Sequence, residues 1–151
     1  MNRDFVEILS ELSAAGADFL IVGAHALAVL GIPRATGDLD IWIRPTPDNA
    51  DRVLDALRRF GAPLFDLTRE DLTRADTVFQ IGLPPSRVDI LSGISGVEFS
   101  GAWERRTAVE IEGLQVPVLS REDFIANKKA AGRTKDLLDL ALLDEMDSSE
   151  G

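Results

Sequence analysis

Cysteine is absent from the 151-residue sequence, and histidine occurs once. The chain therefore forms no disulfide bond and offers no thiolate to a metal ion. A single histidine also cannot supply the usual zinc ligand sets. Any metal bound by this protein must be held by oxygen atoms.

Long apolar runs are missing as well. The longest apolar stretch, Phe19 to Leu30, is interrupted and is short for a lipid bilayer. The N-terminus begins Met1, Asn2, Arg3, Asp4 and lacks the basic region and apolar run that are typical of a secretion signal. These absences predict a cytoplasmic protein with no membrane association.

Basic residues are scarce relative to acidic ones. Sixteen Lys and Arg face 26 Asp and Glu, which gives a formal net charge of −10. This negative charge repels the phosphate backbone of a nucleic acid, so extensive nucleic-acid binding is not expected. A small nucleotide is not excluded, because a few local cations and a bound metal can neutralise its phosphates.

The remaining composition is that of a globular protein, with 45% apolar and 28% charged residues. The length suits one domain, predicted over residues 1–146, with a frayed tail over 147–151. Hydrophobic periodicity predicts an α+β fold, in which helices flank a small mixed sheet and a helical pair closes the C-terminus. The predicted strands are 19–22, 38–43, 77–81, 87–91, 107–112 and 114–118, and the predicted helices are 3–15, 24–30, 47–60, 120–131 and 134–146. Residues 92–103 are predicted to form a loop.

Two carboxylates share one face of the second predicted strand. Alternation directs Leu39, Ile41 and Ile43 to the core and leaves Asp38, Asp40 and Trp42 on the other face. Paired carboxylates repel each other, and a divalent cation that bridges them to substrate phosphates relieves the repulsion. A solvated strand face is the alternative interpretation.

A third carboxylate, Asp89, lies in another short alternating strand, Arg87 to Leu91. If the two strands are neighbours, Asp89 can complete a second metal site or accept a proton from an attacking hydroxyl. Gly23 separates a buried strand from a helix, where a phosphate could approach backbone N–H groups. Taken alone, Asp89 fits an ordinary strand-end acid, and Gly23 fits a tight turn.

The order of these residues resembles the minimal nucleotidyltransferases of the DNA polymerase beta superfamily, and above all small bacterial proteins related to the AbiEii toxins of abortive-infection and toxin–antitoxin systems. The segments that carry the resemblance are Leu20 to Leu27, Pro33 to Ile41, Arg87 to Leu91 and Lys128 to Asp136. The resemblance implies transfer of a nucleoside monophosphate from a nucleoside triphosphate to an acceptor hydroxyl, with Mg²⁺ or Mn²⁺ as cofactor. It also implies a protein partner such as a cognate antitoxin.

Individual roles follow from the same resemblance. Gly23 and Ala24 correspond to the phosphate loop, Asp38 and Asp40 to the metal pair, and Asp89 to the third carboxylate. Lys128 corresponds to a helix-borne lysine near the triphosphate. Ala24 stands where the family usually has glycine or serine, which removes a possible hydroxyl contact.

Four further basic or polar residues allow two interpretations each. Arg34 and Thr36, just before the metal pair, can bind phosphate or brace the loop, and bracing is favoured. Arg133 is a candidate for anion contact, whereas Lys135 is spaced to form a helical ion pair with Asp139.

Two other functions remain open at this point. A noncatalytic member of the same fold could act as a binding or antitoxin-like interaction module, which the short chain and Ala24 favour. A metal-dependent glycosyltransferase could also use an Asp-x-Asp motif, but it normally needs a larger nucleotide-binding domain. The base and the acceptor cannot be predicted from the sequence.

Overall fold

The computed structural model describes residues 1–32 and 37–150, so the predictions for Arg34 and Thr36 fall outside the described residues. Within these ranges the chain forms seven helices and six strands. The helices are α1 (Arg3–Ala14), α2 (Gly23–Val29), α3 (Pro47–Phe60), α4 (Arg69–Thr73), α5 (Phe99–Glu104), α6 (Arg121–Ala131) and α7 (Thr134–Glu150). The strands are β1 (Phe19–Val22), β2 (Asp38–Ile43), β3 (Val78–Ile81), β4 (Arg87–Leu91), β5 (Thr107–Ile111) and β6 (Leu114–Val118).

All six strands belong to one mixed sheet in the order β3-β4-β2-β1-β6-β5. The β2–β4 and β1–β6 pairs are parallel, and the other three pairs are antiparallel. The predicted α+β class with a small mixed sheet is confirmed. Because β2 lies between β1 and β4, the residues of the strand that carries Asp38 and Asp40 have neighbours on both sides.

The core is built from the apolar stripes that the sequence predicted. In β2, Leu39, Ile41 and Ile43 are fully buried. Helices α1 and α3 pack against each other and contact the sheet. Helix α1 begins where the Asn2 side chain accepts a hydrogen bond from the Asp4 N–H at 2.8 Å, and α3 ends at Gly61 in the left-handed conformation.

The opposite face of β2 is covered at one end and open at the other. Trp42 is 1% exposed and makes an edge-to-face contact with Phe99, with ring centroids 5.0 Å apart. Phe99 begins α5, so the predicted loop over 92–103 was wrong for its last part. This helix leaves Asp38 and Asp40, on the same face, beside a cleft.

Helix α7 departs from the predicted helix in two respects. The spacing of Leu137, Leu140 and Leu143 predicts one apolar face. In the structure the inward side of α7 carries Asp136, Asp139 and Leu143, whereas Leu137 is 56% exposed. The helix also continues to Glu150 through the segment that the sequence analysis assigned to a frayed tail. A salt bridge between Arg121 and Asp147 holds this last part against α6.

Over residues 1–32 and 37–150, no helix combines the length and the apolar character that crossing a membrane requires.

Candidate active site

The register of two parallel strands brings the three predicted carboxylates together. Asp40 of β2 lies directly opposite Asp89 of β4, and Asp38 lies opposite Arg87. Neighbouring strands are about 4.8 Å apart, so the side chains of each pair stand side by side on one face. The strands are therefore neighbours, which is the condition for convergence of the three acids.

Arg87 is the positive member of this group, and its role was not predicted from the sequence. Its Nε lies 3.1 Å from Oδ1 of Asp89, and a terminal guanidinium nitrogen lies 3.2 Å from Oδ2. The same Nε is 3.8 Å from Oδ2 of Asp38. Arg87 thus donates two hydrogen bonds to Asp89 and places its positive charge close to Asp38. A planar guanidinium is suited to such paired contacts.

Asp40 is the acid of this cluster whose negative charge is least favourable. Burial raises the pKa of Asp40 from 3.8 to about 6, and the negative charges of Asp89 and Asp38 add to the increase. The positive charges of Lys135 and Lys128 act in the opposite direction without cancelling it. A carboxylate in this position favours a nearby cation, whether a proton or a metal ion.

Gly23 allows the close approach of its backbone to Asp40. Its φ is +70°, and a Cβ built on it would lie 2.3 Å from Oδ2 of Asp40. No side chain fits at that distance, and the left-handed backbone also disfavours one. The glycine therefore leaves the space that the Asp40 side chain occupies in this conformation.

Replacing Gly23 with alanine should displace Asp40 in addition to straining the backbone. Gly16 is a matched control, because its φ is +72° and nothing among the described residues lies within 4 Å of the position that a Cβ would take there. We expect Gly16→Ala to cost about 1 kcal/mol and Gly23→Ala to cost about 2 kcal/mol or more, measured by urea denaturation. Equal costs for the two variants would show that Asp40 does not depend on the glycine.

A second charged group closes the cleft from α6 and α7. The Nζ atom of Lys128 lies 3.1 Å from Oδ1 of Asp136 and 3.6 Å from Oδ2 of Asp139, and all three residues are buried. Asp136 also accepts hydrogen bonds from the backbone N–H and the guanidinium of Arg133. The Arg133 guanidinium, supported by Lys128, holds the pKa of Asp136 well below its usual range.

These contacts change the interpretation of the basic residues on α6 and α7. The sequence suggested that Lys135 pairs with Asp139. In the structure Lys128 lies 3.6 Å from Oδ2 of Asp139, and Lys135 lines the cleft. Lys128 and Arg133 line the cleft too, yet both are engaged by Asp136. Lys135 is therefore a further cationic residue on the cleft lining, and its positive charge lowers the pKa of Asp40.

The cleft between the carboxylate face and α6 and α7 has a volume of about 880 Å³. Such a volume lies in the range of small-molecule sites. Its lining includes Gly23, Ala24, Asp38, Asp40, Gln80, Arg87, Asp89, Ser95, Asn127, Lys128, Arg133, Lys135 and Asp139. The predicted residues that the structure describes thus line one cavity.

The acidic side chains at the cleft offer oxygen donors of the kind that a divalent metal prefers. Within residues 1–32 and 37–150, no group of three or more His, Asp and Glu side chains is arranged to hold a metal ion. Asp38 and Asp40 nevertheless offer hard oxygen donors, and the pKa of Asp40 is raised first by burial and then by the negative charges of Asp89 and Asp38, which the nearby lysines do not cancel. This chemistry fits Mg²⁺ or Mn²⁺ at the Asp38–Asp40 pair, while Asp89 is engaged by Arg87.

Comparisons with known proteins agree with the fold and with the resemblance. Residues 7–150 match the family described as nucleotidyl transferase AbiEii toxin, type IV toxin–antitoxin system. The chain belongs to this family, which confirms the resemblance and leaves no support for the glycosyltransferase alternative.

A solved structure with a similar fold comes from Thermotoga maritima. It is TM1012, a candidate nucleotidyltransferase, with a TM-score of 0.58 and 18% sequence identity. The match covers 98% of this chain and 89% of that one. At this identity the likeness shows the fold. No curated protein matches this sequence.

Proposed function

We propose that this protein transfers a nucleoside monophosphate from a nucleoside triphosphate to an acceptor hydroxyl, with Mg²⁺ or Mn²⁺ as cofactor. The observation that supports the proposal is the position of Asp40, which stands between Asp38 and Asp89 at the cleft and retains a pKa of about 6. A cluster of carboxylates with uncompensated negative charge is suited to bind a metal cation that carries a phosphate ligand. Membership of the AbiEii family supports the same reaction class.

In this proposal Asp38 and Asp40 would hold the metal, Asp89 would complete the site as a third oxygen ligand, and the metal would supply positive charge to the phosphate oxygens when bound. Asp89 lies beside Asp40 and accepts the proton of the acceptor hydroxyl. A bond forms from the acceptor oxygen to the α-phosphorus, and the bond to pyrophosphate breaks. Lys135 on the cleft lining supplies positive charge toward the phosphates.

A second candidate function is a noncatalytic interaction module of the same fold. Two contacts favour it, because Arg87 already occupies both oxygens of Asp89, and Lys128 is already bonded to Asp136. In either case the type IV toxin–antitoxin family supports a cognate antitoxin as protein partner. The two candidates differ in whether the cleft takes up nucleotide.

Nucleotide binding tests the proposal through thermal stability, because a ligand that binds the folded state stabilises it by about 2.7 kcal/mol at 100 times its dissociation constant. Melting temperatures should be recorded with each nucleoside triphosphate, with Mg²⁺ or with EDTA. We expect a magnesium-dependent increase for at least one nucleotide. The increase should vanish in the variant Asp38→Ala, Asp40→Ala.

A charge-matched control is the variant Glu104→Ala, Glu110→Ala, which removes two exposed carboxylates away from the cleft lining. This control should retain the full increase. If no nucleotide raises the melting temperature of the wild type, the proposal fails and the interaction module is favoured. If the double aspartate variant keeps the increase, nucleotide binds somewhere other than this cleft.

A further inference from the structure

Arg87 occupies the same oxygens that a metal would need. Asp38, Asp40, Asp89 and Arg87 form a two-by-two arrangement on β2 and β4, because Asp38 faces Arg87 and Asp40 faces Asp89. The guanidinium binds both carboxylate oxygens of Asp89 and lies 3.8 Å from Asp38. Asp40 is the acid of this group that the arginine does not contact directly.

A guanidinium and a divalent cation cannot share these carboxylates freely. Both need the lone pairs of the same oxygens, and two positive charges a few ångströms apart repel each other in a partly buried site. Arginine stays charged at any pH at which the protein is folded, so it cannot yield by losing a proton. The cation must instead displace the guanidinium from Asp89, Asp38 or both.

We propose that Arg87 is an internal competitor of the metal, which holds Asp89 and Asp38 in a closed ion-paired state until a cation displaces it. The proposal rests on the proposed function for the identity of the site but concerns metal binding alone. Arg87 acts here as a positioning residue. Once displaced, its side chain remains on the lining of the cleft, where it can pair with a phosphate.

Metal titration of the nucleotide-free protein tests the competition. Mn²⁺ binding should be measured by isothermal titration calorimetry for the wild type, Arg87→Met and Arg87→Lys. Methionine keeps the apolar stem without the charge, and lysine keeps the charge without the two-pronged contact. We expect Arg87→Met to bind Mn²⁺ at least about tenfold more tightly than the wild type, which corresponds to about 1.4 kcal/mol, and Arg87→Lys to lie between them.

Lys135→Met is the matched control, because Lys135 also lines the cleft and its charge also acts on Asp40. Removing this charge should strengthen Mn²⁺ binding by less than about threefold, as expected for a cation that acts on the site at a distance. The gain in Arg87→Met should also fall by at least half when Asp89→Asn is added. Circular dichroism and melting curves verify that each variant is folded. If Arg87→Met does not fold, the comparison of Arg87→Lys with the wild type decides the test.

The outcomes separate this inference from the proposed function. A gain in Arg87→Met no larger than in Lys135→Met overturns the competition, even if nucleotide still binds. A large gain that requires Asp89, together with no nucleotide binding by the wild type, supports the competition while the proposed function fails. If neither wild type nor Arg87→Met binds Mn²⁺, the competition is overturned, and the melting experiment with nucleotides decides the proposed function separately.

Discussion

Asp136→Ala is expected to destabilise the protein by about 3–5 kcal/mol, the usual cost of removing one partner of a buried ion pair. Asp136 is 0% exposed and accepts hydrogen bonds from Lys128 and from the guanidinium and backbone N–H of Arg133. Its loss leaves the buried ammonium of Lys128 with Asp139 at 3.6 Å as its described carboxylate contact. Urea denaturation at pH 7 measures the effect.

The pH dependence of this effect follows from the sign of the pKa shift. The Arg133 guanidinium, and then Lys128, lower the pKa of Asp136 in the folded state, so the carboxylate stabilises the fold fully above the ordinary carboxyl pKa of about 4. That contribution is lost as the pH falls toward the folded-state pKa. The difference between wild type and Asp136→Ala should therefore shrink from about pH 5 downward.

Asp147→Ala is the control, because it removes one partner of the exposed pair with Arg121 on the same two helices. It should cost less than about 1 kcal/mol. A cost for Asp136→Ala that is equally small would mean that the buried group does not join α6 to α7. A difference that stays constant down to pH 3 would contradict the ionised state assigned to Asp136.

Asp40→Asn is expected to have opposite effects on stability and on the proposed activity. The pKa values of 3.8 and about 6 imply that the ionised side chain destabilises the fold by on the order of 2 kcal/mol above pH 6. The amide has nearly the same shape without the charge. In EDTA at pH 7.5, Asp40→Asn should therefore melt about 5 °C higher than the wild type, while nucleotidyl transfer falls by about 10³-fold or more.

The destabilising effect of the Asp40 charge can be checked by lowering the pH. The pKa of Asp40 is raised in the folded protein, so the wild type gains stability as the pH falls from about 6 to about 4 and Asp40 takes up its proton. The advantage of Asp40→Asn should disappear over this interval. An advantage at pH 4 equal to that at pH 7.5, or none at either, would contradict the surplus negative charge at Asp40.

The sequence predicted the strands of the site well, because alternation is a local property. Leu39, Ile41 and Ile43 turn inward because every second residue of a strand shares a face, and Asp38 and Asp40 follow from the same rule. The pairing of Asp40 with Asp89 depends on the order of strands in the sheet. The sequence left that order open, since the two residues are far apart along the chain.

Residues of the ion-paired groups were predicted less well. The sequence predicted a strand at Arg87 but no role for its side chain, although its position two residues before Asp89 places both side chains on one face. Lys128 was expected near the triphosphate. Its burial with Asp136 depends on the packing of α6 against α7, which the sequence does not reveal. Helix α5 was missed because glycine and serine dominate the segment before it, whereas Phe99 and Ala102 are buried by tertiary contacts.

The contact between Gly23 and Asp40 also constrains how this sequence can diverge. The two positions lie on adjoining elements, and a Cβ at residue 23 would lie 2.3 Å from the Asp40 carboxylate. A lineage that acquires a side chain at position 23 must therefore move the acid at position 40 out of this conformation or replace it. Among homologues the two positions should covary. We expect members with a non-glycine residue at position 23 to lack the carboxylate at position 40.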